Sequence, residues 1–188
     1  ADYHLVHLGA RAMGGAGMVF AEMTCITPEG RITPGCPGLY NAEQKAGWKR
    51  IADWIHAHSD AKCAMQLGHA GSKASTRVAW DGTDLPLESG NWPIVGASAQ
   101  QYLPGVSQVS KEISKDEMQS LKQRFVEATQ DVNDIGADWL ELHCAHGYLL
   151  SEFISPLTNQ RTDEYGGSLQ NRLRYPIEVF TAMRAVWP

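Results

Sequence analysis

The feature that most constrains this chain is an alternation of two periodicities. Three short apolar runs, residues 17–22, 62–67 and 138–143, are separated by stretches whose apolar side chains recur at helical spacing. The first of them does not switch strictly between apolar and polar, which suits a strand covered on both faces, and none alternates strongly enough to suggest an antiparallel sheet. Strand then helix, repeated, means right-handed βα units in a parallel sheet or barrel.

The helices carry their own boundary signals. Residues 3–13 are helix-compatible and stop at Gly14-Gly15, where glycine tolerates the left-handed cap. A second helix opens at Asn41, with Gln44 placed to reach back in a capping-box arrangement, and runs to about Ser59 with Trp48, Ile51, Ala52 and Ile55 on one stripe. Ser114 with Glu117 makes another capping box, and that helix ends at Gly136. Ser168 caps a last helix reaching about Val186. Between the second and third strands, residues 68–113 form an unusually long connection rich in Gly, Pro and Ser, the kind of loop that serves as a lid or binding element. Its Trp80, Trp92 and Tyr102 are expected to anchor the loop rather than line a pocket.

Composition narrows the function classes. The 188 residues are 43% hydrophobic and 20% charged, enough for one real core, and the single domain expected spans residues 1–188. The net charge of −5 supplies no basic face for nucleic acid or anionic membrane, and no apolar run reaches the roughly 20 residues of a membrane helix. A cytoplasmic protein is expected. Cys25, Cys36, Cys63 and Cys144 show no C-x-x-C spacing, which argues for reduced thiols over a zinc ribbon or disulfide scaffold. The chain starts without Met and runs straight into a helical pattern, so it is expected to be an internal segment of something longer.

Two strand ends bear polar groups suited to chemistry. The third strand runs into His143-Cys144-Ala145-His146-Gly147-Tyr148, which sets two imidazoles and a phenol at its carboxyl end, where α/β enzymes place their sites. Imidazole N–H groups can hold a substrate oxygen and stabilise the enolate-like charge developing on it. A tyrosine with a pKa near 10 can deliver a proton to carbon. The alternative, a zinc-dependent hydrolase using His143 and His146, lacks the third ligand and helical spacing of an H-E-x-x-H site. The second strand holds Gln66, whose carboxamide offers a donor and an acceptor together and suits the edge of a heterocycle; a buried Gln bonded to neighbouring backbone is the plainer reading.

Gln66-Leu67-Gly68-His69-Ala70-Gly71, residues 143–149 and the run from Phe153 to Arg172, which includes Arg161-Thr162-Asp163-Glu164-Tyr165-Gly166-Gly167, resemble the old yellow enzyme family of FMN-dependent NAD(P)H oxidoreductases. The stretch Ile32–Leu39 and the Trp80-Asp81-Gly82 loop are most similar to the oxidoreductase domains of bifunctional anthraniloyl-CoA and salicylyl-CoA monooxygenase/reductases. The resemblance implies an α/β fold, part of a (β/α)8 TIM barrel with about three to four βα units. It implies FMN at the carboxyl ends of the strands, electrons drawn from NAD(P)H, and hydride passed to an activated alkene. Gln66 would then bond the pyrimidine edge of the flavin, and the backbone near Met23 and Thr24 would flank the ring. His143 and His146 would hold the ligand oxygen, and Tyr148 would protonate carbon. The implied partner is a small-molecule substrate, with a CoA thioester as one candidate.

The run from Asp163 to Ser168 reads as a structural corner, and Lys73 and Arg77 read as solvated charges, with contact to an anionic cofactor or CoA phosphates as the alternative. A full barrel typically needs about 250 residues and builds its phosphate site after strands seven and eight. The expectation is therefore an incomplete site that binds FMN weakly or not at all, on a segment whose open sheet edges and uncovered apolar face favour a homo-oligomer or leave it poorly ordered. A non-catalytic barrel fragment is the remaining alternative.

Overall fold

The computed structural model describes residues 2–188. The order of elements is α1 (Asp2–Met13), β1 (Met18–Cys25), α2 (Ala42–His58), β2 (Lys62–Gly68), β3 (Val95–Gly96), β4 (Lys111–Glu112), α3 (Lys115–Ile135), β5 (Trp139–Leu142), α4 (Leu149–Ile154) and α5 (Leu169–Arg184). Three of the strands make a parallel sheet in the order β1-β2-β5. Neighbours in sequence are neighbours in the sheet, which is the arrangement of consecutive βα units in a (β/α)8 barrel.

The local signals act as the periodicities require. Asn41 accepts a hydrogen bond from the Gln44 amide at 2.9 Å, and Ser114 with Glu117 forms a reciprocal capping box. The box at Asn41 is only half made, because the Gln44 side chain turns to the Tyr40 amide instead. Gly136 closes α3 in the left-handed conformation, with φ of 84°. The expected stripe of α2, Trp48, Ile51, Ala52 and Ile55, is its buried face.

The core lies between the helices and one face of the sheet. Val19 and Ala21 of β1 and Cys63, Met65 and Leu67 of β2 point into it, against α2 residues and Phe125 and Val132 of α3. Tyr175 of α5 is fully buried against Phe153, and its hydroxyl donates to the Met118 carbonyl at 2.9 Å, so its one polar atom is satisfied inside the core. The other face is open. Phe20, Ala64 and Trp139 form a lateral row across the three strands, and Phe20 and Trp139 remain 40% and 56% exposed.

The long connection is more ordered than its composition suggests. It contains two 3₁₀ turns, Gly71–Lys73 and Ala79–Asp81, and the parallel pair β3–β4, so the described residues hold five strands where periodicity marks three. Strands of two residues are too short to show a period, which is why they are invisible in the sequence. Helix α4, of six residues, escapes for the same reason. Trp92 anchors the loop as expected, donating from its indole N–H to the Glu29 carbonyl at 3.0 Å beneath Arg31. Trp80 does not, being 88% exposed. Arg161, with Asp163 at 2.7 Å, donates to the carbonyls of Ala97 and Ile113 and so ties the loop to the corner before α5.

Candidate active site at the strand ends

The three main strands converge at Gly68. A Cβ built there would lie 2.8 Å from Met23 Cγ and 3.3 Å from His143 Cβ, so the close approach of β1, β2 and the chain after β5 requires glycine at this point. The chain leaving β5 stays hydrogen-bonded to β2 through the His143 amide and the Leu67 carbonyl, 2.9 Å. It then turns at His146 and Gly147, both with positive φ (59° and 72°), and Tyr148 occupies the N-cap of α4. A histidine in that conformation is uncommon and costs some strain. The turn is held by the Gly147 amide on Ser151 Oγ, the Tyr148 amide on the Ala145 carbonyl and the Leu149 amide on the His69 carbonyl.

This turn brings His143, His146 and Tyr148 together. Ring centroids lie 5.0 Å apart for the two histidines, 5.1 Å for His143 and Tyr148 and 6.5 Å for His146 and Tyr148, all nearly perpendicular. His143 is buried, and burial together with the neighbouring His146 lowers its pKa, so it is neutral at pH 7. Its Nδ1 accepts from the Ala145 amide at 3.3 Å, which assigns the ring proton to Nε2 and makes that atom a donor. The Tyr148 phenol is half-buried, and burial, with the nearby Cys36, Asp84 and Cys25, raises its pKa, so it keeps its proton at neutral pH.

Gln66 sits in the adjacent strand, level with Met23 on one side and Glu141 on the other. Its Nε2 donates to Glu141 Oε1 at 2.7 Å, while its Oε1 accepts from no group among the described residues. Met23 is buried against Gly68, and Thr24 is buried with its hydroxyl on the Glu22 carbonyl. All six residues singled out from the sequence therefore fall on the carboxyl ends of three adjacent strands. Among the described residues no group of three or more His, Cys, Asp or Glu side chains is placed to hold a metal ion.

Three residues of this region were not legible as parts of it. Lys73 is not a free solvated charge: its ammonium lies 4.4 Å from the Tyr102 ring centroid and 5.2 Å from that of Tyr148, and it donates to the His146 carbonyl. Arg77 likewise pairs with Glu88 at 3.0 Å and with the Pro86 carbonyl. Glu152, 1% exposed, accepts from the Ser72 amide and hydroxyl, both 2.7 Å, and from the Ala97 amide at 2.9 Å. A glutamate and a lysine in isolation carry no signal of such partners, which lie far away in the chain. The Gly-x-Lys turn directly after a strand was the one available hint for Lys73.

A parallel sheet of three consecutive βα units, with imidazoles and a phenol gathered at its strand ends, is the arrangement of part of a (β/α)8 barrel, a fold that places its sites on the carboxyl face. The particular family follows from comparison: residues 1–186 match the NADH:flavin oxidoreductase / NADH oxidase family, and the chain belongs to it. It is 41% identical over its whole length to an NADH:flavin oxidoreductase of Gibberella zeae, covering 46% of that protein, and 39% identical over 99% of its length to an NADPH dehydrogenase of Bacillus cytotoxicus, covering 49% of it. Among solved structures it is similar to morphinone reductase (29% identity, TM-score 0.85, all of this chain and 50% of that one). It is also similar to 2-naphthoyl-CoA reductase in complex with 2-naphthoyl-CoA (28% identity, TM-score 0.84, 98% of this chain and 28% of that one). The chain spans about half the length of the curated relatives it matches.

Proposed function

We propose that these residues form the oxygen-holding and proton-donating part of an FMN-dependent NAD(P)H oxidoreductase that reduces an activated alkene. Bound FMN would supply the reducing equivalents, drawn from NAD(P)H. Gln66 fits the cofactor: one arm of its amide is fixed by Glu141 and the other is open, which suits the alternating N–H and C=O edge of a flavin pyrimidine ring. The backbone at Met23 and Thr24 flanks the same place from the neighbouring strand.

The observation that carries the reading is the ring cluster of His143, His146 and Tyr148. The Nε2–H of neutral His143, with His146 beside it, polarises the substrate carbonyl and bears the negative charge that grows on its oxygen. The phenol of Tyr148, protonated and in edge contact with His143, delivers the proton to the carbon next to that carbonyl. Lys73, packed on the Tyr148 ring, orients the phenol.

We further propose an aromatic acyl-CoA thioester, or a product of one, as the substrate class. It is supported by the resemblance at Ile32–Leu39 and by the likeness to a reductase solved with 2-naphthoyl-CoA. Four free thiols fit a reducing, cytoplasmic setting. The zinc hydrolase reading finds no third protein ligand among the described residues.

The test is Tyr148→Phe in a polypeptide spanning the full length of its relatives. Flavin reduction by NAD(P)H should be unchanged, while reoxidation by an enone slows by about a hundredfold or more, the usual worth of a positioned general acid. Equal slowing of both half-reactions would remove Tyr148 from the proton step.

A further inference from the structure

We propose that Cys25 and Cys36 form a peroxide-reactive thiol pair that closes reversibly into a disulfide beside the active site. Cys25 ends β1 and is fully buried. The segment carrying Cys36 returns alongside it: the Cys25 amide donates to the Pro37 carbonyl at 3.0 Å and the Leu39 amide to the Cys25 carbonyl at 2.9 Å, a parallel bridge centred on Gly38. Cys36 stands two residues before Gly38 and packs against the small apolar cluster that holds Cys25, where each thiol is the largest influence on the other, raising the pKa of Cys25 and lowering that of Cys36.

The two sulfurs have different surroundings, which divides their roles. Cys36 sulfur accepts from the Thr33 amide at 3.3 Å and contacts the Thr33 hydroxyl at 3.6 Å, in a turn closed by the Cys36 amide on the Thr33 carbonyl. It also opens onto a cleft of about 530 Å³ shared with His4, Gln44 and Trp48, a route by which a small oxidant reaches it. The neighbouring Cys25 thiol, with the Thr33 amide and hydroxyl at the sulfur, favours its thiolate. Cys25 is held as the thiol by the adjacent Cys36 and by burial, and its sulfur donates to the thioether of Met23 at 3.9 Å. Cys63 and Cys144 are the contrasting pair, both raised to about 11, chiefly by burial.

The chemistry closes with a hydroperoxide as the only added reactant. The Cys36 thiolate attacks the terminal peroxide oxygen, the O–O bond breaks, and the alkoxide leaves and takes a proton from water, so that sulfur becomes the sulfenic acid. The Cys25 sulfur then attacks Cys36 sulfur. The S–S bond forms, and the departing hydroxyl takes the Cys25 proton and leaves as water. A cellular thiol reverses the bond. Both sulfurs pack in the same apolar cluster as Tyr148, so the cross-link is built into the wall of the site.

The experiment treats the full-length protein with tert-butyl hydroperoxide and maps the cysteines by peptide mass spectrometry. The expected product is a Cys25–Cys36 disulfide, two hydrogens lighter and restored by dithiothreitol. Under the same treatment Cys25→Ser should stop at a dimedone-trapped sulfenic acid on Cys36, and Cys36→Ser should leave Cys25 untouched. A measurement free of variants accompanies these: in the native protein Cys36 should be alkylated by iodoacetamide at least about tenfold faster than Cys63 or Cys144, a preference lost in urea. Oxidation that falls first on Cys63 or Cys144, a disulfide joining any other pair, or alkylation of Cys36 at the rate of the other two overturns the proposal.

Discussion

At the scale of single residues, Asp138 shows how much one side chain can fix. It sits at the foot of β5, where its carboxylate accepts from the Cys63 amide at 2.9 Å and pairs with His56 and Lys62, at 2.7 and 3.0 Å. Burial opposes its charge, yet the Cys63 amide, His56 and Lys62 together hold the carboxyl down to about 2. Its pKa is thus lower folded than unfolded. The stability it contributes is present above about pH 4 and is lost as pH falls toward 2. Asp138→Asn should cost about 1–2 kcal/mol at pH 7 and less at pH 3, read from urea midpoints at the two pH values. An equal loss at both would show that the charge is irrelevant. The sequence marks Asp138 only as the first residue of a strand, because His56 and Cys63 reach it through the packing of α2 and the register of β2. By contrast His143, His146 and Tyr148 were legible because all three lie in one short run, and a strand end has a known polarity. The roles of Lys73 and Glu152 and the pairing of Cys25 with Cys36 were not, since each depends on a chain reversal that composition does not encode.

At the scale of elements, α4 is the piece that joins the loop to the site. Six residues make too short a helix to hold itself in place. Its position is set from outside, by the His69 carbonyl at its start and by Glu152, whose two oxygens gather the amides of Ser72 and Ala97. Gly71 and Gly96 admit the carboxylate, since a Cβ at either would lie 2.3 or 2.7 Å from its oxygens. Glu152→Ala should therefore leave two amides unpaired and cost about 3 kcal/mol, with residues 76–93 becoming sensitive to proteases. A variant with an unchanged urea midpoint and an intact loop would refute that account. The regular helices were legible from their caps and stripes, apart from the half-made box at Asn41 and the end of α5, which stops at Arg184 rather than near Val186. The folded interior of the long connection was not, because much of its order comes from partners distant in the chain, such as Glu152, Arg161 and the Glu29 carbonyl that anchors Trp92.

At the scale of the whole molecule, the sheet is covered on one face only. Phe20 and Trp139 stand out from the other, with Met18 nearby at 42% exposure, and among the described residues no strand flanks the outer edges of β1 and β5, β1 having there only the bridge of Cys25 to Gly38. We propose that the 188-residue chain on its own self-associates through this face. Sedimentation velocity should show a dimer or larger species that shifts toward monomer in Trp139→Lys, and a concentration-independent monomer for the unaltered chain would sink the idea. Sheet order has a further consequence, in time rather than in space. β1 and β2 meet across a connection made mostly of one helix, whereas β2 and β5 are separated by the longest excursion of the chain. Loop-closure entropy makes the second pairing the slower one. The end that bears His143 and Tyr148 therefore joins β2 after β1 has paired with it, and in that interval β2 presents a bare edge to every other nascent copy.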